Sequence, residues 1–260
     1  LSLLDFENKT LVIDFKAPQK ILSTLEGFKT GIKAVGNHYL PPQTWGPMHH
    51  SGFESFEAAV LSALEREKVS TALLMTGADL AHLSLTRERF KQMEAVALAT
   101  AGVHSNAVRT SKDEGRFYEP GTINIIVLTN MKLSERAMSR AVITITEAKT
   151  AALDDLDIRS ASTAKINGAT GTGTDNLIIV QGEGTLVKLS GGHTKMGELI
   201  AKAVYDGVTQ AVAKQNKLFA SRHVFQRLKE RGIFLYELAA GVRCECMGPD
   251  PADAGQALAR

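Results

Sequence analysis

Two histidines and two aspartates occupy positions where their side chains could carry acid–base chemistry. Asp79 and His104 each follow a short apolar run, Asp175 closes the glycine-rich segment 168–175, and His193 follows two glycines. A histidine takes up or releases a proton near neutral pH, and a carboxylate can orient it. Each residue also has a structural interpretation: Asp79 suits an Asx-turn or a helix cap, and a lone loop histidine is commonly solvated.

The segment from Gly168 to Asp175 alternates glycine with threonine and is the most unusual stretch of the chain. It precedes an apolar run, whereas a phosphate-binding glycine loop follows a strand and opens a helix, so nucleotide binding is disfavoured. A flexible turn is one interpretation. We favour a backbone that a ligand approaches closely, with Thr172, Thr174 and Asp175 as its polar partners, because buried hydroxyl and carboxylate groups need partners.

Other polar residues are less distinctive. On a helix at about 100° per residue, Glu147 and Lys149 lie beside the alanine stripe rather than on it, which favours solvated side chains. Glu198 lies one residue beyond the position that a capping box requires after Thr194, which leaves Glu198 free for another task.

Three short apolar runs predict strands that are buried on both faces. They are Thr71 to Met75, Ala95 to Ala99 and Ile123 to Leu128. Ligands in open sheets bind beyond the carboxyl ends of strands. We therefore expect Asp79, His104 and Asn130, which follow the three runs, to share one edge of the sheet.

The remaining elements define the fold class. Closely spaced β-prone runs at 10–15, ended by Pro18, and at 20–25 and 31–35 require antiparallel hairpins. Further strands are predicted at 177–180 and 185–189, and helices at 53–66, at 134–153 with Ser134 as N-cap, and at 194–216. The pattern predicts an α+β fold with a mixed, partly antiparallel sheet and long helices packed on it. A layered sandwich with helices outside two sheets is the alternative.

Composition excludes several classes of protein. The chain has 260 residues, 44% hydrophobic and 22% charged, with net charge +2, which is typical of a globular protein and argues against nucleic-acid binding. No apolar run is long enough to span a membrane, and the first residues lack a signal-peptide pattern. We expect a domain over 1–216 and a basic C-terminal helix and tail over 217–260.

The cysteines Cys244 and Cys246 form no disulfide framework, which fits a reducing, cytoplasmic location. Together with Met247 they could bind a soft metal, but two thiols make an incomplete site, as does His49-His50. No metal site is predicted. The role of the tail and the oligomeric state stay open.

Six segments of the chain are distinctive as a set: TGADL (76–80), ATAGVHSNA (99–107), GTINIIVLTN (121–130), TITEAKTAAL (144–153), ATGTGTD (169–175) and GGHTKMGELI (191–200). Taken together and in this order, they resemble the adenosylcobinamide amidohydrolase (CbiZ) family. The resemblance covers roughly residues 70–215 and is less distinct before residue 50. It implies hydrolysis of the linear amide that joins aminopropanol to the corrin ring, giving adenosylcobyric acid and 1-amino-2-propanol in corrinoid salvage. The cobalt then belongs to the substrate, and no cofactor is implied.

Amide hydrolysis needs an activated nucleophile, a stabilised oxyanion and a proton for the leaving amine. We expect His104 or His193 to act with Asp79 or Asp175 as base and orienting group. The predicted substrate-binding residues are Asn106, Asn124, Asn130, Thr172, Thr174, Glu147, Lys149 and Glu198. The asparagines are oxyanion donors in this scheme, and water is preferred over a threonine as nucleophile. A non-catalytic corrinoid-binding or trafficking protein is the alternative, and an amidase with another substrate is a third possibility.

Overall fold

The computed structural model describes residues 9–46, 50, 52–114 and 121–241. The strands are β1 (Thr10–Ser23), β2 (Gly27–Tyr39), β3 (Thr71–Thr76), β4 (Ser84–Phe90), β5 (Met93–Ala101), β6 (Ala107–Val108), β7 (Ile123–Thr129), β8 (Lys132–Leu133), β9 (Gly171–Thr172), β10 (Asn176–Val180) and β11 (Leu186–Val187). The helices are α1 (Phe53–Ala63), α2 (Glu135–Asp155), α3 (Lys195–Asn216), α4 (Val224–Glu230) and α5 (Leu235–Gly241).

One seven-stranded sheet has the order β3-β2-β1-β10-β7-β5-β4. The pairs β2–β3 and β7–β10 are parallel, and the other neighbours in this sheet are antiparallel. The short strands form two separate pairs, β6 with β9 and β8 with β11. The predicted α+β fold with a mixed, partly antiparallel sheet is therefore confirmed.

The sheet folds over itself. Asn37 on β2 donates a hydrogen bond to Thr100 on β5, at 3.0 Å, although four strand spacings separate β2 from β5 in the sheet order. A flat sheet would hold these two strands about 19 Å apart. The half β1-β2-β3 must therefore lie across β10, β7 and β5. Their facing side chains form one buried cluster that includes Leu11, Ile13, Ile32, Val35, Leu74, Leu98, Ile126 and Ile178.

Helices cover both outer faces of this folded sheet. The helices α2 and α3 pack on β4, β5, β7 and β10 through a core rich in alanine, which lets the backbones approach closely. The predicted stripe of α2 is buried as expected, and it consists of Ala137, Ala141, Ile145, Ala148 and Ala152. On the opposite side, Leu61 of α1 packs on Leu73 and Met75 of β3. The layers run helix, sheet, sheet, helix, which is the layered sandwich.

The helix ends follow from local sequence. The Ser134 hydroxyl accepts a hydrogen bond from the Ala137 amide, and the Thr194 hydroxyl accepts one from Gly197, so both are N-caps. Helix α3 ends at Lys217, which has a left-handed φ of 58°. The predicted starts of α2 and α3 are confirmed.

One prediction for the strands is wrong, and one strand was missed. Pro18 does not end the first strand, because β1 continues through it to Ser23. The pairing with β2 shifts register between Asp14 and Gln19, and such an irregularity tolerates a residue without an amide proton. Strand β4 was not predicted, since Thr86 rather than an apolar residue points inward. The Thr86 hydroxyl donates to the carbonyl oxygen of Ala203 on α3, at 2.6 Å.

The C-terminal helix α4 is attached to the end of α2. Arg222 is 9% exposed and binds both oxygens of Glu230 and the carbonyl oxygens of Leu156 and Asp157. The basic helix expected within 217–260 begins at Val224. A domain boundary at residue 216 stays a prediction. Among the described residues, no helix combines the length and the apolar character needed to cross a membrane.

Candidate active site

Four of the polar segments meet at one end of the folded sheet. Thr100 at the end of β5 lies opposite Asn124 at the start of β7, which in turn pairs with Asn176 at the start of β10. The side-chain amide nitrogen of Asn124 donates a hydrogen bond to the carbonyl oxygen of Met75. The end of β3 therefore lies beside the end of β5 and the start of β7. We call residues 76–79, 102–106, 121–124 and 171–175 the polar edge.

Asp175 is the organising group of the polar edge. Its Oδ1 accepts hydrogen bonds from the Ile123 amide at 3.0 Å and the Thr172 hydroxyl at 2.5 Å. Its Oδ2 accepts from the Thr172 amide at 3.0 Å and forms an ion pair with Lys149. Four donors fill the acceptor sites of the carboxylate. Asp175 is therefore suited to hold Lys149 and Thr172 in place, and it has no free lone pair with which to take a proton from water.

Lys149 and Asp175 form a largely buried ion pair that joins α2 to the polar edge. Their side chains are only 12% and 16% exposed. Removing charges from water is costly, so a pair of this kind requires close geometry and additional hydrogen bonds, which Asp175 supplies. Of the two α2 residues that sequence analysis considered, Lys149 thus reaches the polar edge. Glu147 is exposed and lines a shallow cavity beside Arg109.

The glycines of the 168–175 segment make room for protein side chains. A Cβ atom on Gly171 would lie 2.5 Å from Asp175 Oδ2 and 2.6 Å from Lys149 Nζ, and one on Gly173 would lie 2.9 Å from Asn106 Oδ1. We predicted a backbone that a ligand approaches closely. In the structure, the close approach is made by Asn106, Lys149 and Asp175.

Asn106 and Thr174 tie the loops of the polar edge together. The side-chain amide nitrogen of Asn106 (Nδ2) donates a hydrogen bond to the carbonyl oxygen of Gly121 at 2.8 Å. The Thr174 hydroxyl donates to the same oxygen at 2.9 Å. The Thr122 hydroxyl donates to the Thr174 carbonyl oxygen at 2.6 Å. Sequence analysis did not identify Gly121 or Thr122. The glycine is required because its φ is +135° and a Cβ there would lie 2.8 Å from the Gly102 carbonyl oxygen.

Asn124 lies inside the sandwich at this end of the sheet. It is 1% exposed, and its amide nitrogen donates to Asn37 Oδ1 at 2.9 Å and to the Met75 carbonyl oxygen at 2.7 Å. Its Oδ1 is buried and has no hydrogen-bond partner among the described residues. Both amide protons of Asn124 are therefore committed to the protein, and none is directed at a ligand.

Asp79 and His104 lie on the exposed rim of the polar edge. Asp79 caps a short 3-10 turn, where its side chain accepts a hydrogen bond from the Ala81 amide at 2.9 Å, as the Asx-turn interpretation requires. Burial, and to a smaller extent the charge of Asp79, raise the pKa of Tyr39. His104 lines a cavity with the end of α3. Both residues are exposed to solvent.

Three predicted site residues lie at the opposite end of the sheet. The expectation that Asn130 shares an edge with His104 is wrong, because β7 runs antiparallel to β5 and ends beside Ala95. The Asn130 side chain instead holds the β4–β5 turn by hydrogen bonds to Gln92 and Glu94.

His193 and Glu198 lie at the start of α3, whose far end reaches the polar edge because Asn216 accepts a hydrogen bond from the Val103 amide. The helix has 22 residues, or about 33 Å at 1.5 Å per residue. The lysines Lys195 and Lys202 lower the pKa of Glu198 to about 2 through hydrogen bonds. Neither residue can join the polar edge.

No group of three His, Cys, Asp or Glu side chains able to hold a metal ion occurs among the described residues. The candidates His49, Cys244 and Cys246 lie outside the described residues.

Comparison with known proteins connects this site to one family. The family model described as adenosylcobinamide amidohydrolase (CbiZ) matches residues 2–220. An uncharacterized protein of Methanocaldococcus jannaschii is 44% identical over 230 residues, covering 82% of this chain and 89% of its own. The adenosylcobinamide amidohydrolase of Methanosarcina mazei is 27% identical over 216 residues, covering 78% of this chain and 93% of its own.

The crystal structure of the PH0078 protein from Pyrococcus horikoshii is similar at a TM-score of 0.38 and 10% identity, covering 86% of this chain and 84% of that one. A likeness at this level supports no inference about fold or function.

Proposed function

Because the chain belongs to the adenosylcobinamide amidohydrolase family, we propose that it hydrolyses the amide that joins aminopropanol to the corrin ring of adenosylcobinamide. The products are adenosylcobyric acid and 1-amino-2-propanol. The cobalt corrinoid is the substrate in this proposal, and the chain's own side chains carry the reaction. The relative from Methanosarcina mazei bears the name of this activity.

The observation that carries the proposal is the convergence of separated segments on one site. The ranges 76–79, 102–106, 121–124 and 171–175 span about 100 residues of sequence and meet at the polar edge. Their backbone carries polar side chains held by hydrogen bonds in fixed positions. Held in this way, the loops fix Asp175 and through it the Lys149 ammonium, and a donor in a fixed position is what stabilisation of an oxyanion requires.

Lys149 is the proposed oxyanion-stabilising group. One N–H of its ammonium is directed at Asp175. Among the described residues the ammonium has no second partner, which leaves two N–H groups for a substrate carbonyl oxygen. Asp175 fixes the position of the ammonium without taking part in proton transfer. A donor that is held in place in a site of low exposure stabilises a developing negative charge more strongly than water does.

His104 is the proposed base, since it is the candidate histidine at the polar edge. It takes a proton from a water molecule, whose oxygen forms a bond to the amide carbon. The carbon–nitrogen bond then breaks, and the amine nitrogen receives the proton from His104. The Thr172 hydroxyl donates to Asp175 and is 8% exposed as a residue, which favours water over Thr172 as the nucleophile.

The test is to incubate the purified protein with adenosylcobinamide and to follow both products by mass spectrometry. The proposal expects cobyric acid and aminopropanol in equal amounts. Intact substrate that co-elutes with the protein would instead favour a non-catalytic corrinoid-binding or trafficking protein. Release of an amine from other amides, with adenosylcobinamide untouched, would indicate an amidase with a different substrate.

A further inference from the structure

A cavity of about 660 Å³ opens beside His104. It is lined by Val103 and His104, by residues 158–161 and 164, by Arg222 and helix α4, and by residues 216–218 at and just beyond the end of α3. This volume lies within the range of about 300–1,000 Å³ that is typical of small-molecule sites.

Helix α4 completes this cavity, and it lies beyond the part of the chain that the family model matches. The match ends at residue 220, whereas α4 spans Val224–Glu230. Arg222 and Asp157 fix α4 against the end of α2 through ion pairs with Glu230 and Arg227. The wall is therefore a fixed part of the fold.

The cavity carries an excess of positive charge that the protein does not neutralise. Arg159 and Arg222 line it and form hydrogen bonds with Asp157, Glu230 and backbone carbonyl oxygens. Lys217 and Lys229 also line it. Within the described part of the chain, their ammonium groups have no hydrogen bond or ion pair, and the Gln226 amide and the His104 ring are equally free.

We infer that this cavity binds a phosphate group on the amino-alcohol arm of the substrate, so that the chain acts on the phosphate ester of adenosylcobinamide. Two unpaired ammonium groups match a phosphate dianion in charge, and lysine is a common phosphate ligand. This inference rests on the proposed function. His104, the proposed base, lines the same cavity as Lys217 and Lys229, so the arm of an amide held at His104 can enter the cavity toward these two lysines.

The kinetic test compares adenosylcobinamide with its phosphate ester as substrates for the full chain. We expect the wild type to have a higher kcat/KM for the ester by about tenfold or more, as charge-assisted hydrogen bonds to a phosphate provide. In the K217Q/K229Q variant the ratio of the two kcat/KM values should fall by about the same factor. Lys188 is exposed at the other end of the molecule, so K188Q should keep the wild-type ratio.

Two results would overturn the inference while the proposed function stands. One is a wild type that hydrolyses adenosylcobinamide at least as fast as the ester. The other is a K217Q/K229Q variant whose preference for the ester equals that of the wild type.

The preference of the wild type for the ester over adenosylcobinamide should also weaken as salt is raised from 0.05 to about 0.5 M, because the attraction between exposed charges is screened over a few ångströms at high salt.

A binding measurement separates this inference from the proposed function if neither corrinoid is hydrolysed. Inorganic pyrophosphate is titrated into the wild type and into K217Q/K229Q by calorimetry. Binding that is lost in the variant supports an anion site for a free phosphate compound rather than for a corrinoid. Absence of binding to the wild type, together with absence of turnover of the ester, overturns the anion site.

Discussion

At the scale of single residues, the interaction between Lys149 and Asp175 is the feature on which the site depends. Helical spacing alone favoured a solvated Lys149. The alanine stripe shows which face of α2 is buried, but it does not show which residues of other elements lie beside that face. The structure places Asp175 there, from a loop 26 residues further along the chain. A long-range partner of this kind leaves no periodic signal in the sequence.

We predict that Lys149 and Asp175 are energetically coupled. K149M leaves a buried carboxylate unpaired and D175L leaves a buried ammonium, so each single variant should lower the free energy of unfolding by about 2–4 kcal/mol. The double variant should cost less than the sum of the two by about 1–3 kcal/mol, measured by urea denaturation. Additive losses would mean that the two groups do not interact in solution.

His38 gives the fold a dependence on pH that is separate from the active site. Burial, with a smaller effect from Lys9, lowers the pKa of His38 from 6.5 to about 4, and its Nδ1 lies 2.7 Å from the Thr10 hydroxyl. Between these two values the unfolded chain binds a proton that the folded chain does not. Stability is therefore complete above pH 6.5 and falls as the pH decreases toward 4.

This loss should reach at most about 3 kcal/mol by pH 4. It is measured by chemical denaturation at a series of pH values, with H38Q as the comparison. The variant should lack this part of the slope. An unchanged slope in H38Q would assign the pH dependence to other groups.

At the scale of elements, the sequence predicts those parts whose signal is local. Capping by Ser134 and Thr194 and the alanine stripe of α2 depend on neighbours within four residues, and they are found as predicted. Strand β4 was missed because its inward Thr86 is satisfied by a carbonyl oxygen on α3, 117 residues away. Asn130 was misplaced because an apolar run reveals a strand but not its direction, so parallel and antiparallel neighbours cannot be told apart.

The glycines of the 168–175 segment provide a test at this scale. In G171A the new Cβ would displace the ends of Lys149 and Asp175, which are side-chain atoms and can move at modest cost. We expect a loss of stability of about 1–2 kcal/mol and a fall in kcat of about tenfold or more, because small displacements in an active site are costly.

Gly192 offers a matched control, since nothing lies within 4 Å of the position of its Cβ. G192A should keep both kcat and thermal stability close to those of the wild type. Equal activities for G171A and G192A would show that the spacing around Gly171 does not matter for turnover.

At the scale of the whole molecule, the C-terminal helix is attached through Asp157. Its carboxylate binds Arg159, Arg227 and Arg231. Burial alone would raise the pKa of Asp157, but the hydrogen bonds and charges of these arginines outweigh burial and lower it. Composition revealed the basic character of residues 217–231 but not the acceptor to which this charge binds.

We predict that D157N releases the C-terminal helix. Limited proteolysis should cut between residues 217 and 241 about tenfold faster or more, as loss of a largely buried charge partner implies. The exposed Asp154 lies in the last turn of α2, three residues before Asp157, and has no charged partner among the described residues, so D154N should be cut at the wild-type rate. Equal cutting of both variants would show that Asp157 does not hold α4.

The central claim is that the amide is cleaved at the polar edge, about 33 Å from the start of α3 by the length of that helix. The most direct test is the kcat for adenosylcobinamide of K149M and of H193A, each against the wild type. We predict a loss of about 10²–10³-fold for K149M, as for removal of one oxyanion donor, and a kcat within twofold of the wild type for H193A. Full activity in K149M with loss of activity in H193A would place the reaction at the other end of the molecule and contradict the claim.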